Sequence, residues 1–358
     1  MSDQLILMMD GKPHRGWTRA TVGRSIERGP QQFDVSLTDT WGNTEGINPR
    51  SVQIGMGLQV YVNDDLLLTG YIDDVDPEYG ATTHALSARG RSKLGDLVDC
   101  STEGKQFSGQ SLAQIATLLC KPFGISVLID ASAKTAANQP FVGKTPTLDL
   151  GQPIWEFLEE QARIRAVLLI SDEQGNLRIT RAGTARADVA LALGKNIKSA
   201  SGSFSAQALF SDYIVTGQQP NTPQVKLEGV DNSQPKAAIS SSATVARHRP
   251  FVVSSDNPLD IAGCKTRAEW QRNVHEGRSV GVVYTVSGWR QTSGGRIWTP
   301  NELIQVTDPW MGWNDQRLIV ETRLMLDDDG SNTEIRVMPK EAFALVPEVE
   351  TVSRGFIL

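Results

Sequence analysis

Leu58-Gln59-Val60-Tyr61-Val62-Asn63-Asp64-Asp65-Leu66-Leu67-Leu68-Thr69-Gly70-Tyr71-Ile72 is the stretch from which the fold can be read. Leu58, Val60 and Val62 alternate with Gln59 and Tyr61, the period of two that turns one face of a strand toward a core. Asn63-Asp64-Asp65 supplies turn chemistry, because short polar side chains bond the local backbone, and the apolar run then resumes. A second turn is expected around Pro77-Glu78-Tyr79-Gly80, after which His84, Leu86 and Ala88 share one face. Strand, acidic turn, strand, turn, strand is an antiparallel meander.

The same order returns near the other end. Leu303-Ile304-Gln305-Val306 is followed by a turn through Pro309 and Gly312, and then by Leu318 to Leu326. Asp327-Asp328-Asp329-Gly330 turns the chain into a last strand, where Thr333, Ile335 and Val337 face one way and Glu334, Arg336 and Met338 the other. Any two meanders look alike, so the pattern leaves duplication and coincidence both open.

Between the meanders the periodicity changes. Ser111 and Gln114 have capping-box spacing, in which each side chain accepts from the other residue's backbone N–H. Leu112, Ile115, Ala116 and Leu119 then form one helical face that ends at Pro122 and Gly124. A second helix starts at Pro153 and runs through Trp155, Phe157, Leu158 and Ala162. Asp172-Glu173-Gln174-Gly175-Asn176 joins two strands as a hairpin. Strands return after residue 195, most clearly at Ser211 to Gly217; residues 218 to 245 are polar and read as an exposed excursion. A weakly striped helix is expected over Pro258 to Glu276, with Ile261, Cys264 and Ala268 on its apolar side.

The expected fold is therefore α+β, mainly β: two similar antiparallel β-barrels, a small α+β domain between them, and a helix-containing insertion in the second barrel. The first barrel takes residues 1–100 and the α+β domain 101–185. The second barrel takes 186–217 and 278–346, the insertion 218–277 and a C-terminal tail 347–358.

Composition excludes several roles. A net charge of -6 over 358 residues argues against a dedicated nucleic-acid binder, which needs clustered Lys and Arg. The first residues, Met1 to Asp10, lack the basic start and long apolar core of a signal peptide, and no apolar run approaches the ~20 residues of a membrane span. The expectation is a soluble protein made in a cytoplasm. Cys100, Cys120 and Cys264 are odd in number and far apart, so neither a disulfide framework nor a zinc site is expected.

No catalytic constellation emerges. His14, His84, His248 and His275 are scattered, and no nucleophile elbow, P-loop or dinucleotide motif occurs. Glu159-Glu160 reads as a solvated helix face, and the Asp327 cluster as a hairpin turn that lacks the alternate ligand spacing of a calcium loop. No catalytic, cofactor-binding or metal-binding residue is assigned, and no cofactor is expected. Trp289, Trp298, Trp310 and Trp313 crowd one stretch and fit a core or an interface equally well.

Several short pieces, in order, carry a resemblance. They include Gly16-Trp17-Thr18, Arg24-Ser25-Ile26-Glu27, Thr69-Gly70-Tyr71-Ile72-Asp73, Gly90-Arg91 and Asp96-Leu97-Val98-Asp99-Cys100. The helix Leu112 to Cys120 with Pro122-Phe123-Gly124 follows, then Arg247-His248-Arg249-Pro250, Gly288-Trp289 and Trp298-Thr299-Pro300-Asn301. From about residue 10 to 344 the chain resembles the baseplate hub proteins of bacteriophage Mu and its prophage relatives. The resemblance implies a homotrimer in which two barrels per subunit make a ring of six. That ring would sit between a six-fold tail tube and a three-fold membrane-piercing spike in the virion, after assembly in the bacterial host cytoplasm. The implied partners are the tail spike protein, the tail tube and neighbouring baseplate proteins; DNA would transit without specific binding, with no direct membrane insertion. The hub portion of a type VI secretion spike is the alternative, although those hubs are commonly fused to their spike and Leu358 follows soon after the last expected barrel strand. A cell-wall hydrolase and a carbohydrate-binding module are rivals from other classes.

Overall fold

Alternating apolar residues, Gly and Asn turns, and two well-capped helical stretches organise the chain into three regions. The structure, a computed structural model, describes residues 3–39, 52–80, 84–142, 145–183, 185–218, 235–241, 245, 247–258 and 260–343. The expected tail at 347–358 and most of the excursion at 218–245 lie outside these residues.

The N-terminal region contains β1 (Leu5–Met9), β2 (Lys12–His14), β3 (Arg19–Ser25), β4 (Gln32–Asp39), β5 (Gly57–Val62), β6 (Asp65–Tyr79) and β7 (His84–Ser92). Asn63 takes a positive φ of 53° between β5 and β6, as the turn requires. Pro77 and Tyr79, expected in a turn, lie instead at the end of β6. Proline is tolerated there because its missing N–H falls on a strand edge.

The middle region holds α1 (Gly95–Asp99), β8 (Lys105–Gln106), α2 (Leu112–Cys120), β9 (Val127–Ile129), α3 (Lys134–Asn138), β10 (Thr147–Leu148), α4 (Ile154–Ile164), β11 (Leu168–Ser171) and β12 (Leu177–Thr180). Both capping-box bonds at Ser111 and Gln114 are present, at 2.9 and 3.3 Å. The β11–β12 hairpin forms as expected, and β9 joins it in parallel, which the sequence did not signal. Leu112, Ile115, Phe157 and Leu158 bury in the shared core of this region. The tip of the hairpin plugs into the N-terminal sheet: Arg24 donates to Glu173, and Thr69 Oγ1 donates to the Glu173 carbonyl at 3.0 Å. Burial, the largest single influence, would raise the Glu173 pKa, but the Arg24 charge and hydrogen bond, a backbone hydrogen bond and the Arg178 charge together hold the carboxyl below its ordinary value.

The C-terminal region comprises β13 (Ala185–Arg186), β14 (Leu191–Ala192), β15 (Ile197–Phe204), β16 (Asp212–Gln218), β17 (Lys236–Ser240), β18 (Pro250–Pro258), α5 (Ile261–Arg278), β19 (Val280–Ser287), β20 (Glu302–Asp308), β21 (Trp313–Asp327) and β22 (Gly330–Met338). The strand at β16, expected in the second barrel, pairs instead with β17 and β18. Together with α5 they bury Tyr213, Val215, Cys264 and Ala268 in a small separate core. Ile261, expected on the buried stripe of α5, is exposed.

Mainly β architecture is observed, but the expectation of two barrels needs correction: among the described residues no sheet closes. A single 14-stranded sheet runs through both halves in the order β15-β19-β22-β21-β3-β4-β7-β6-β5-β1-β2, with β13, β14 and β20 attached at the side. The reason is the pairing of β21 with β3, which welds the second meander to the first. The sheet still curls over two cores. One holds Leu7, Val22, Val60 and Leu68, and the other Val282, Tyr284, Ile304 and Val337.

Candidate assembly surface

The two meanders are built alike. In the first, β3 pairs with β4, β4 with β7 and β7 with β6; in the second, β15 pairs with β19, β19 with β22 and β22 with β21. Each has a 15-residue strand, β6 or β21, whose first part pairs with an extra strand, β5 or β20. Each long strand also shifts register against its last strand, between Ile72 and Asp74 and between Ile319 and Glu321. Strand order, length and bulge position recur together, so the likeness between Leu58–Gly90 and Leu303–Pro339 extends to topology.

The halves meet at a seam where β21 runs antiparallel to β3, with Glu321 opposite Ser25, Arg323 opposite Gly23 and Met325 opposite Thr21. Alternation puts Leu324 and Val22 on the core side of the seam, where both are buried in the N-terminal core. On the outer side, ion pairs cross it: Arg28 lies 3.7 Å from Glu321, and Arg336 2.7 Å from Glu27.

This outer face is a charge ladder. Arg323 approaches Glu334 at 3.5 Å, Arg89 bonds Asp76, and Arg91 donates to Asp73 at 2.7 Å and to Asp99 at 2.6 Å. The Arg91 bond holds the Asp99 carboxyl below its ordinary pKa, and the two carboxylates raise the guanidinium's own. Each arginine named here therefore has a carboxylate beside it. Individually such pairs contribute little to stability, ~0–1 kcal/mol, but together they offset the charge of these five arginines.

The run from β15 to β6 is antiparallel throughout and ends in two open edges. At one end β15 pairs only with β19 among the described residues, and its Phe204 is 58% exposed. At the other end, the stretch Asp74 to Glu78 of β6 pairs only with β7 among the described residues. Acidic residues and a proline along an open strand are common guards against indiscriminate pairing.

The residues weighed for chemistry do not converge. Glu159 is exposed on α4, and Glu160 is half-buried and accepts from Gln152 at 3.3 Å. Asp327 accepts the Asp329 N–H at 2.9 Å within the β21–β22 turn. His14 lies at the end of β2, His248 is exposed, and His275 packs among Phe210, Tyr213 and Phe251, where burial lowers its pKa. The strand holding His84 is described but its side chain is not. Among the described residues no group of His, Cys, Asp or Glu has a metal-binding arrangement. Of the four clustered tryptophans, Trp289, Trp298 and Trp313 are buried and Trp310 is 86% exposed, so the core reading holds for three and a surface position for one.

Comparison with known proteins gives a consistent picture along the chain. Residues 4–92 match the family described as Mu phage baseplate assembly protein GpP-like, N-terminal. Residues 94–181 match the second domain of baseplate hub protein gp44-like, and residues 261–346 the fourth domain of Mu phage baseplate assembly protein GpP. The baseplate hub protein gp44 of Escherichia phage Mu is 28% identical over 99% of this chain and 92% of its own length. The 43 kDa tail protein of prophage MuSo2 from Shewanella oneidensis is 33% identical, with a TM-score of 0.82 covering 96% of this chain and 100% of that one. A tail protein from Neisseria meningitidis MC58 shares the fold at 21% identity, with a TM-score of 0.78 over 96% of this chain and 99% of its own.

Proposed function

The chain belongs to the baseplate hub family of bacteriophage Mu and Mu-like prophages, and from that premise we propose that three copies form the ring at the centre of a contractile-tail baseplate. Its work is structural. The observation that carries the reading is the recurrence of one strand order in both halves. Each chain then offers two tube-like units, and three chains offer six. Such a ring presents six similar units to a six-fold tail tube while retaining the three-fold symmetry that a spike requires. A closed ring of identical chains needs two different, complementary faces on each subunit, and the two open ends of the sheet are different.

The charge ladder suits the wall of a channel through which DNA passes. Arg28, Arg89, Arg91, Arg323 and Arg336 each have a carboxylate beside them, which weakens their hold on a moving phosphate backbone. Tail tube, spike and neighbouring baseplate proteins are the partners in this reading, with assembly in the host cytoplasm before incorporation in the virion. The α+β region and the insertion stand outside the continuous run and are left free to meet those neighbours.

Light scattering of the purified protein tests the oligomer. A mass of three chains that persists at micromolar concentration is expected, since obligate interfaces bury roughly 2,000–5,000 Å². A monomer across that range, with no ring in electron micrographs, would reject the proposal.

A further inference from the structure

The seam inside the chain specifies the register of the seam between chains. We infer that the edge of β6 from Asp74 to Glu78 pairs antiparallel with β15 of a second copy, with Asp76 facing Ser203 and Glu78 facing Ser201. This rests on the ring proposed above and adds the strands and their alignment.

The alignment follows from matched positions. Asp74 pairs with Arg89 just after the β6 bulge, and Glu321 pairs with Arg336 just after the β21 bulge, so Asp74 and Glu321 are equivalent. Counting along, Asp76 stands where Arg323 stands, and Glu78 where Met325 stands. On the other strand, Thr21 faces Asp34, which faces Arg89; Ser201 faces Val283, which faces Arg336. Ser201 is therefore equivalent to Thr21, Ser203 to Gly23 and Phe204 to Arg24. Transferring the β21–β3 register gives the proposed pairs. Strand direction agrees, because directions alternate at every step from β6 to β15, and a following β6 would again be antiparallel.

Side chains support the transfer independently. In the internal seam the outer positions of β3 are small, Thr21, Gly23 and Ser25; the matching stripe on β15 is Ser201 and Ser203, with Ser205 just beyond. On the core side the transfer sets Phe204 opposite Val75. Phe204 is exposed and Val75 half-buried in the single chain, so joining the edges removes apolar surface on both sides. Acidic residues line one edge and hydroxyls the other, so two β6 edges repel each other, whereas the hydroxyls of β15 can donate to the carboxylates of β6. One ladder bond is lost: Pro77 takes the place of Leu324 and has no N–H to donate.

The geometry also picks the residues for a test. Ile26 N–H donates to the Val320 carbonyl at 3.0 Å, continuing the internal ladder. By alternation, Arg323 and Gly23 form a non-hydrogen-bonded pair, and so would Asp76 and Ser203. Such pairs bring Cα atoms to about 4.5 Å, within reach of a disulfide. Full-length Asp76→Cys/Ser203→Cys, mildly oxidised, should run as a covalent trimer on a non-reducing gel, with the monomer band largely lost. Each single variant should stay monomeric on that gel, since Cys120 and Cys264 are buried and Cys100 is half-buried. Asp76→Cys/Ser199→Cys, four residues out of register, should also fail to cross-link. Light scattering before oxidation separates the two hypotheses. A trimer that does not cross-link at 76/203, or cross-links at 76/199, overturns the register and leaves the ring standing. A protein that stays monomeric overturns both.

Discussion

In the N-terminal half a short turn joins β3 to β4, whereas the equivalent connection from β15 to β19 carries a three-stranded sheet and the 18-residue helix α5. The interiors differ as well. Gly90 in β7 occupies the place of Val337 in β22, and Phe33 rather than Val282 covers it. What stays constant is strand order and the bulge in the long strand, the features that set where an edge lies and which way it runs. The insertion leaves from the end of β15 and returns to β19 without entering the β15–β19 ladder. The comparison teaches that the shared frame concerns joining, while each core is filled in its own way.

Trp289 tests how independent the halves are, and its removal should have the largest effect. It follows β19 in the C-terminal half but is buried in the N-terminal core, and its indole N–H donates to the Met325 carbonyl at 2.9 Å. Trp289→Ala should cost about 3–5 kcal/mol, read from the urea midpoint. Hydrogen exchange should show β5 and β6 losing protection; if only β19 and β22 loosen, the halves are separate cores and the cross-brace is fictitious. A smaller effect is expected at the matched positions. A Cβ on Gly90 would overlap the Tyr71 carbonyl and come within 2.6 Å of the Phe33 ring, so Gly90→Ala should destabilise by about 3 kcal/mol. At the equivalent site Val337→Ala loses buried methyls and should cost about 2 kcal/mol. The same residue type harms one half by excess and the other by deficit. Equal tolerance of alanine at both sites would mean that the cores are less distinct than their packing indicates.

Much of the fold is legible in the residues themselves. Period-two alternation at Leu58–Val62 and Thr333–Val337 marks the strands and their buried faces, and the Ser111–Gln114 spacing marks a helix start, because these signals are local. The β21–β3 seam is not local. Ala20 and Val22 alternate with Thr21 and Gly23, which suits a strand with one buried face but does not say which strand lies beside it, and so two closed barrels are as compatible with the pattern as one continuous sheet. Length explains other misses: β9 has three residues, too few for a period. At the candidate surface, sequence spacing offers no catalytic motif to look for. The charge ladder cannot be read from spacing, since its pairs join residues such as Arg336 and Glu27 that only the seam brings together.

The smallest expected effect belongs to the outer face that both halves share. If that face lines the channel, purified wild-type protein should not retain duplex DNA at ~0.15 M salt. Each phosphate held by a fixed cation releases counterions, with a slope near 0.9 in log affinity against log salt. Arg89, Arg91 and Arg323 are each occupied by a carboxylate, so few such contacts are available. Removing the negative partners should expose them. Asp76→Asn combined with Glu321→Gln and Glu334→Gln takes a carboxylate from Arg89, both partners from Arg323 and one from Arg28. Gel-shift titration should then show weak binding that fades as salt rises, steeper by about one unit of slope for each arginine engaged. These pairs are solvent-facing, so thermal stability should fall by no more than about 1 kcal/mol per pair, which keeps a gain in binding from being mistaken for unfolding. Submicromolar, steeply salt-dependent binding by the unaltered protein would show that the face already grips DNA, and the neutralised-wall reading would have to be given up. If instead the triple variant stays inert in a ring of confirmed trimeric mass, the ladder lies where DNA does not reach it.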